Sequence, residues 1–340
     1  AKSREMAAEL GLDPERCYGS WAECIATESS MPTDMRVAVV VIVTPNDSHV
    51  AIALDAIRAG FHVILDKPLG VSVAEGEILA RAVGDSGLVC AVTYTYAGNV
   101  MVEHARELCA AGELGTIRKV SVQYLQEWLS IPQEKQGMKQ AVWRTDPAIA
   151  GPGGTLGDIG THAFHLLEHV TGEQVTELCC DLSRVLPDRK LDDDANILVR
   201  LDGGGKGVIT VSQVAVGEEN LLRLQVYGSE ASLTWELESA DYLTLGRFGQ
   251  ARQRLSRNSP ALSGRANRYA RVPAGHPEGY IEAFANVYRG AAEAIRAHAA
   301  GSSLPTEDQR FPGVEDGLRG MRFVEACVTS AAAGGVWTTL

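Results

Sequence analysis

The sequence has no concentrated basic segment: 31 Lys and Arg stand against 43 Asp and Glu, a formal charge of -12. Binding a phosphate backbone needs clustered cations, so nucleic acid is excluded as a partner. Long apolar runs are also missing. The longest, Val37 to Val43, falls far short of the ~20 residues a bilayer-spanning helix needs. The opening AKSREMAAELGL is polar and amphipathic, unlike a secretory signal, and nothing sends the chain to a membrane. Cysteine is sparse and unpatterned, with seven residues at 17, 24, 90, 109, 179, 180 and 327 and no C-x-x-C. That spacing offers no zinc ligand set and suits small buried thiols in a reducing cytoplasm. Glycine is plentiful, yet G-x-G-x-x-G never occurs. There is no repeat and no low-complexity segment.

What is present fits two soluble globular domains: 340 residues, 45% hydrophobic and 22% charged. Residues 2–11 have helical spacing. The run Val37–Val43 reads as a strand buried on both faces of a parallel sheet. A helix over 48–59, a strand at 62–65, a helix over 72–83 and a strand at 88–93 follow. This alternation predicts a doubly wound α/β domain over 1–97 with right-handed crossovers. Beyond residue 98 the pattern changes. A helix (99–111), a strand near 119–127 and the Gly-rich turn AGPGGTLG (150–157) lead into a helix reaching Val170. From 175 to 248 the signal is mostly β, and two helices close the chain near 279–298 and 313–330. The prediction for 98–340 is an α+β domain with one large, mostly antiparallel sheet.

Three segments could carry chemistry. Thr44-Pro45-Asn46 follows the Val37–Val43 strand, where open α/β sheets bind ligands; a plain Pro-Asn chain reversal explains it equally well. Asp66-Lys67-Pro68 follows the next strand, and the plain alternative there is a local ion pair. In the third, Gly157 to His169, Asp158, His162, His165 and His169 fall on one helical stripe. The other side carries Ile159, Ala163, Leu166, Leu167 and Val170. A single histidine on such a helix is usually a packing residue, whereas three beside an aspartate suggest a polar lining and a base that works near neutral pH. His165-Leu166-Leu167-Glu168-His169 also matches the inverted zincin pattern, with Glu168 as base for a hydrolase. That pattern is short, and the α/β half has no part in its mechanism.

Taken in order, V-T-P-N-D-S-H, D-K-P-L, W-R-T-D-P, G-G-T-L-G-D-I-G-T-H and the closing F-P-G-V-E-D-G-L-R-G resemble the Gfo/Idh/MocA oxidoreductases along essentially the whole chain. The Lys-Pro pair and the D-x-x-x-H helix are the specific parts. Asp66 stands where the family pattern has Glu, which keeps the charge. The resemblance implies hydride transfer between a carbinol carbon of a sugar or cyclic polyol and NAD or NADP. In it Lys67, Asp158 and His162 are catalytic. Thr44, Pro45, Asn46, His49, Asp66 and Lys67 contact the cofactor, while Trp143, Arg144 and His165 join the catalytic residues against substrate. No metal is required, and a homodimer or homotetramer is implied. The family pattern also begins with a strand and the glycine turn absent here, so a chain truncated within its Rossmann-like domain is expected, without the residue that separates NAD from NADP. The competing expectation is a non-catalytic sugar-binding or assembly protein on the same scaffold.

Overall fold

The computed structural model describes residues 2–260, 262, 264–302, 309 and 311–340. The first part runs α1 (Lys2–Glu9), α2 (Trp21–Ser30), β1 (Val39–Ile42), α3 (His49–Arg58), β2 (His62–Leu65), α4 (Val73–Ser86) and β3 (Cys90–Val92). Ser72 caps α4 by accepting from Glu75 N, and Gly87 ends it in the left-handed conformation. The three strands are parallel, in the order β1-β2-β3. Every residue of β2 is buried. Val63 and Leu65 point into a core with Leu79, Leu318 and Met321, while Ile64 meets Val287 and Phe311 on the other face. Two covered faces explain the unbroken apolar run. β1 differs from expectation. It is the edge strand, and Val41 and Val43 are 44% and 69% exposed, so only part of the Val37–Val43 run is buried.

The second part continues with α5 (Val100–Ala110), β4 (Ile117–Leu125), the short helices α6 (Lys139–Arg144) and α7 (Pro147–Ala150), and α8 (Thr161–Thr171). Strands β5 (Val175–Ser183), β6 (Asp194–Leu201), β7 (Lys206–Ser212), β8 (Leu221–Gly228), β9 (Ala231–Glu236), β10 (Tyr242–Arg247) and β11 (Gln253–Ser256) follow. After α9 (Gly264–Asn267) come α10 (Tyr280–Ala299), α11 (Val314–Ala332) and β12 (Thr338–Thr339). The nine-stranded sheet has the order β11-β10-β9-β8-β4-β7-β6-β5-β12, antiparallel except where β4 meets β7. Inward residues such as Val120, Val122, Ile197 and Val199 pack under Phe164, Leu167 and Val170 of α8. Outward positions alternate toward solvent, as in β6, and this gave the β segments their period of two.

The boundary near residue 98 separates the two sheets but not the helices. α10 covers one face of the parallel sheet, and α11 contributes to both large cores. The return is fixed by Val92 N–H donating to Pro312 O at 2.7 Å. Sequence periodicity cannot reveal this, because an amphipathic helix carries no address for the surface it covers.

Candidate active site

The two turns after β1 and β2 are locked together from beneath. His49 is 1% exposed; Nδ1 lies 2.9 Å from Pro68 O and Nε2 2.7 Å from Thr44 O. The sequence expects a cofactor contact at His49; here each ring nitrogen faces a backbone carbonyl, and the side chain packs beneath the two turns. Asn46 donates from Nδ2 to Ala150 O at 3.0 Å, tying the first turn to α7. Asp66 Oδ1 accepts from Lys67 N at 2.9 Å and from Thr93 Oγ1 at 2.7 Å, and the Lys67–Pro68 bond is cis. Held this way, Lys67 leaves the strand end and crosses to the second domain. Its ammonium donates to Asp158 Oδ1 at 2.9 Å and to the Asp158 backbone carbonyl.

Asp158 sits in a π-helical turn, Leu156–Gly160, that precedes α8. Besides Lys67 it meets Arg144 Nε at 3.2 Å, and its Oδ2 accepts from Gln213 Nε2 at 2.8 Å. Burial alone would raise its pKa, but the Lys67 and Arg144 charges outweigh that and hold it well below the ordinary carboxylate range. Gln213 is fixed in turn: its Oε1 accepts from Thr155 Oγ1 at 3.0 Å, and its Nε2 also donates to Gln126 Oε1 at 3.2 Å.

One turn further along, His162 is 9% exposed, and its ring lies edge-on to Tyr96 at 5.0 Å and to Tyr94 at 5.6 Å. Its Nδ1 is buried with no hydrogen-bond partner among the described residues. Burial, then the Lys67 charge, push its pKa well below 6.5. It is therefore a neutral imidazole beside a cation.

Two hollows meet at this cluster. One, of about 410 Å³, is lined by Lys67, Tyr96, Tyr124, Gln126, His162 and Asn220. The other, of about 300 Å³, is lined by Thr44, Pro45, Asn46, Lys139 and Trp143. Asp66, Lys67, Arg144 and Asp158 line both. Of the predicted site residues, Thr44, Pro45, Asn46, Asp66, Lys67, Asp158, His162 and Arg144 therefore converge. Trp143 lies on the Thr44 side, with the Arg144 guanidinium 4.1 Å over its ring, and not in the His162 hollow.

The expected stripe on α8 is real, but only its first turn faces the cleft. His165, expected against substrate, is 6% exposed, stacks on Tyr94 at 4.4 Å and lines neither hollow, so it lies beneath the site. His169 stacks on His165 at 5.3 Å. Glu168 is bound by Arg319 and accepts from Val175 N at 2.8 Å. Among the described residues no group of three or more His, Cys, Asp or Glu could hold a metal. Sequence reasoning missed Tyr96, Tyr124, Gln126, Gln213 and Asn220. The only local signal was a polar residue just past a strand end, at Gln126 after β4 and Gln213 after β7.

Parallel-sheet strand ends oppose a mixed-sheet domain across a lysine–aspartate–histidine cluster, an α/β architecture with a polar cleft between its two sheets. The comparisons agree. Residues 1–94 match the family described as "Oxidoreductase family, NAD-binding Rossmann fold", and residues 102–234 match the GFO/IDH/MocA C-terminal domain. The chain is 33% identical over 338 residues to the uncharacterized oxidoreductase YfiI of Bacillus subtilis strain 168, covering 99% of this chain and 86% of that one. The crystal structure of an inositol dehydrogenase homolog from Azotobacter vinelandii, complexed with NAD+, superposes with a TM-score of 0.95 at 37% identity. It covers 99% of this chain and 87% of that one. The same homolog with NADH and myo-inositol gives 0.92 at 36% identity, covering 99% and 86%. This protein belongs to the Gfo/Idh/MocA oxidoreductase family.

Proposed function

We propose that this protein oxidises a ring carbinol of a sugar or cyclic polyol, passing hydride to NAD or NADP. The observation that supports this most is that Lys67 of the first domain and His162 of the second line one hollow. The residues present fit a nicotinamide riboside. Thr44, Asn46 and Asp66 offer polar groups at the carboxyl ends of parallel strands, and Pro45 and Trp143 give an apolar wall. The nicotinamide, when bound, supplies the hydride acceptor. His162 takes the hydroxyl proton, because burial and Lys67 keep it neutral. The Lys67 ammonium stabilises negative charge developing on the same oxygen. Asp158 holds that ammonium in place, and Arg144 and Gln213 keep the Asp158 carboxylate from turning away. The solved relative that holds NADH and myo-inositol supports a neutral polyol as the substrate class.

The test is NAD(P) reduction across inositols, aldoses and levoglucosan. His162→Ala and Lys67→Ala should each lower the rate by about 100- to 10,000-fold while cofactor binding persists. Full activity in both variants would remove the mechanism. Sugar binding without turnover by the wild type would favour the non-catalytic scaffold.

A further inference from the structure

Beyond the His162 hollow lies another, of about 570 Å³, within the ~300–1,000 Å³ range of small-molecule sites. The two share Asn220 and Tyr280 as a common wall. The far side is formed by Glu238 and Ser239, on the turn after β9, with Asp241, Tyr242 and Glu278. Its chemistry is one-sided. Three carboxylates line it, and the single cation, Arg257, is 3% exposed and fully engaged. Arg257 donates to Asp241 Oδ1 at 2.7 Å, to Val272 O at 2.6 Å and to His276 O, and it pairs with Glu278 Oε1 at 3.0 Å. Among the described residues that line it no other cation is available to a phosphate, and Arg254 lies outside the lining, over the Tyr242 ring at 3.6 Å. Glu278 is 8% exposed; its Oε1 accepts from Arg271 N and Val272 N at 2.6 and 2.7 Å, whereas its Oε2 has no partner among the described residues. An unmatched buried acceptor beside the exposed Glu238 carboxylate is suited to hydroxyl donors, whereas Asp241 is held by Arg257 and by Glu278 N. Tyr280, 57% exposed and edge-on to Phe284 at 5.0 Å, offers an aromatic face to the C–H face of a sugar ring.

Resting on the redox reading of the first hollow, we infer that this second hollow is a subsite for the outer ring of a two-ring neutral substrate. The reacting ring occupies the Lys67–His162 side. The outer, uncharged ring passes the Asn220–Tyr280 wall and places its hydroxyls on the carboxylates. Sugar phosphates and sugar nucleotides are excluded by charge.

The test pairs each single ring with its two-ring counterpart: myo-inositol with galactinol, and D-glucose with cellobiose. Wild-type kcat/KM should be about tenfold or more higher for the two-ring member of at least one pair, the scale of one or two well-made hydrogen bonds. Ser239→Trp, which fills the hollow, should bring that ratio to about one. A wild-type ratio near one in both pairs, or a ratio unchanged by Ser239→Trp, overturns the subsite. So does UDP-glucose competing better than cellobiose. If no compound is oxidised, the redox reading fails separately and binding decides the subsite. Saturation-transfer NMR should then reach the outer-ring protons of galactinol or cellobiose in the wild type and lose them in Ser239→Trp. Transfer that is absent, or equal in both proteins, overturns it.

Discussion

Asp192 shows how much of the site depends on one side chain that touches neither hollow. Its Oδ1 accepts from Gly154 N at 2.6 Å and its Oδ2 from Leu156 N at 2.8 Å, while its backbone carbonyl accepts from Thr155 N at 3.0 Å. Thr155 holds Gln213, and Gln213 holds Asp158. In the sequence L-D-D-D-A is only a polar loop, because its partners lie 36 to 38 residues away. Burial raises the Asp192 carboxyl from its ordinary 3.8 to about 6, against the pull of the Leu156 and Gly154 N–H groups. Two N–H donors need two acceptor oxygens, and the acid form turns one of them into a hydroxyl. The rate of the wild type should therefore fall as pH drops through about 6, and Asp192→Asn should lack that limb. Its kcat should be lower by roughly tenfold with KM little changed, as the turn before Asp158 loosens. Stability runs the other way. A carboxyl that binds its proton more tightly folded than unfolded favours the fold at low pH, and that advantage is lost as pH rises from about 4 to about 6. Over that window the wild type should lose stability relative to Asp192→Asn by on the order of 2–3 kcal/mol, read by denaturant titration. A constant difference between the two would remove Asp192 as the titrating group.

Helix α8 carries the same lesson at the level of elements. Its polar stripe was legible from spacing, since 100° per residue puts Asp158, His162, His165 and His169 on one side. What spacing could not say is that the stripe leaves the cleft after one turn. Beyond His162 the helix runs under Tyr94 and against α11, and His165, with its pKa lowered to about 4 by burial, belongs to that packing. The contact depends on Gly320 in α11: a Cβ there would stand 2.2 Å from Tyr94 Oη but 3.4 Å from the ring carbon bearing it. Gly320→Ala should cost about 1–3 kcal/mol, the usual range for overpacking. It should also slow turnover, because Tyr94 lies against His162 as well as His165. Tyr94→Phe removes the clashing oxygen, so Tyr94→Phe with Gly320→Ala should recover most of the lost stability in a double-mutant cycle. Additive losses would show that Gly320 is constrained by something other than Tyr94.

For the whole molecule, the two-layer grammar of the chain was readable because the parallel strands are continuously apolar and the antiparallel ones alternate. The site was readable only in part, since the turns after β1 and β2 advertise themselves by type while the tyrosines and glutamines facing them come from strand ends far apart in sequence. The same long-range closure governs how the molecule comes apart. Two sheets with a boundary near residue 98 suggest two separately melting units, yet α10 covers the first sheet and α11 enters both large cores. The Ala91–Gly313 bridge and the Lys67–Asp158 and Asn46–Ala150 contacts add further crossings. Losing the first sheet would strip α10 and α11 of one side of their packing, so neither half keeps its core alone. Equilibrium unfolding should follow one cooperative transition, with far-ultraviolet circular dichroism and the fluorescence of Trp235, buried in the large sheet, coinciding in midpoint. Ending the chain before Val314 should leave neither sheet folded, because it removes core residues from both at once. Two resolved transitions, or a shortened chain that keeps a native-like nine-stranded core, would mean that the C-terminal helices decorate the fold and do not join it.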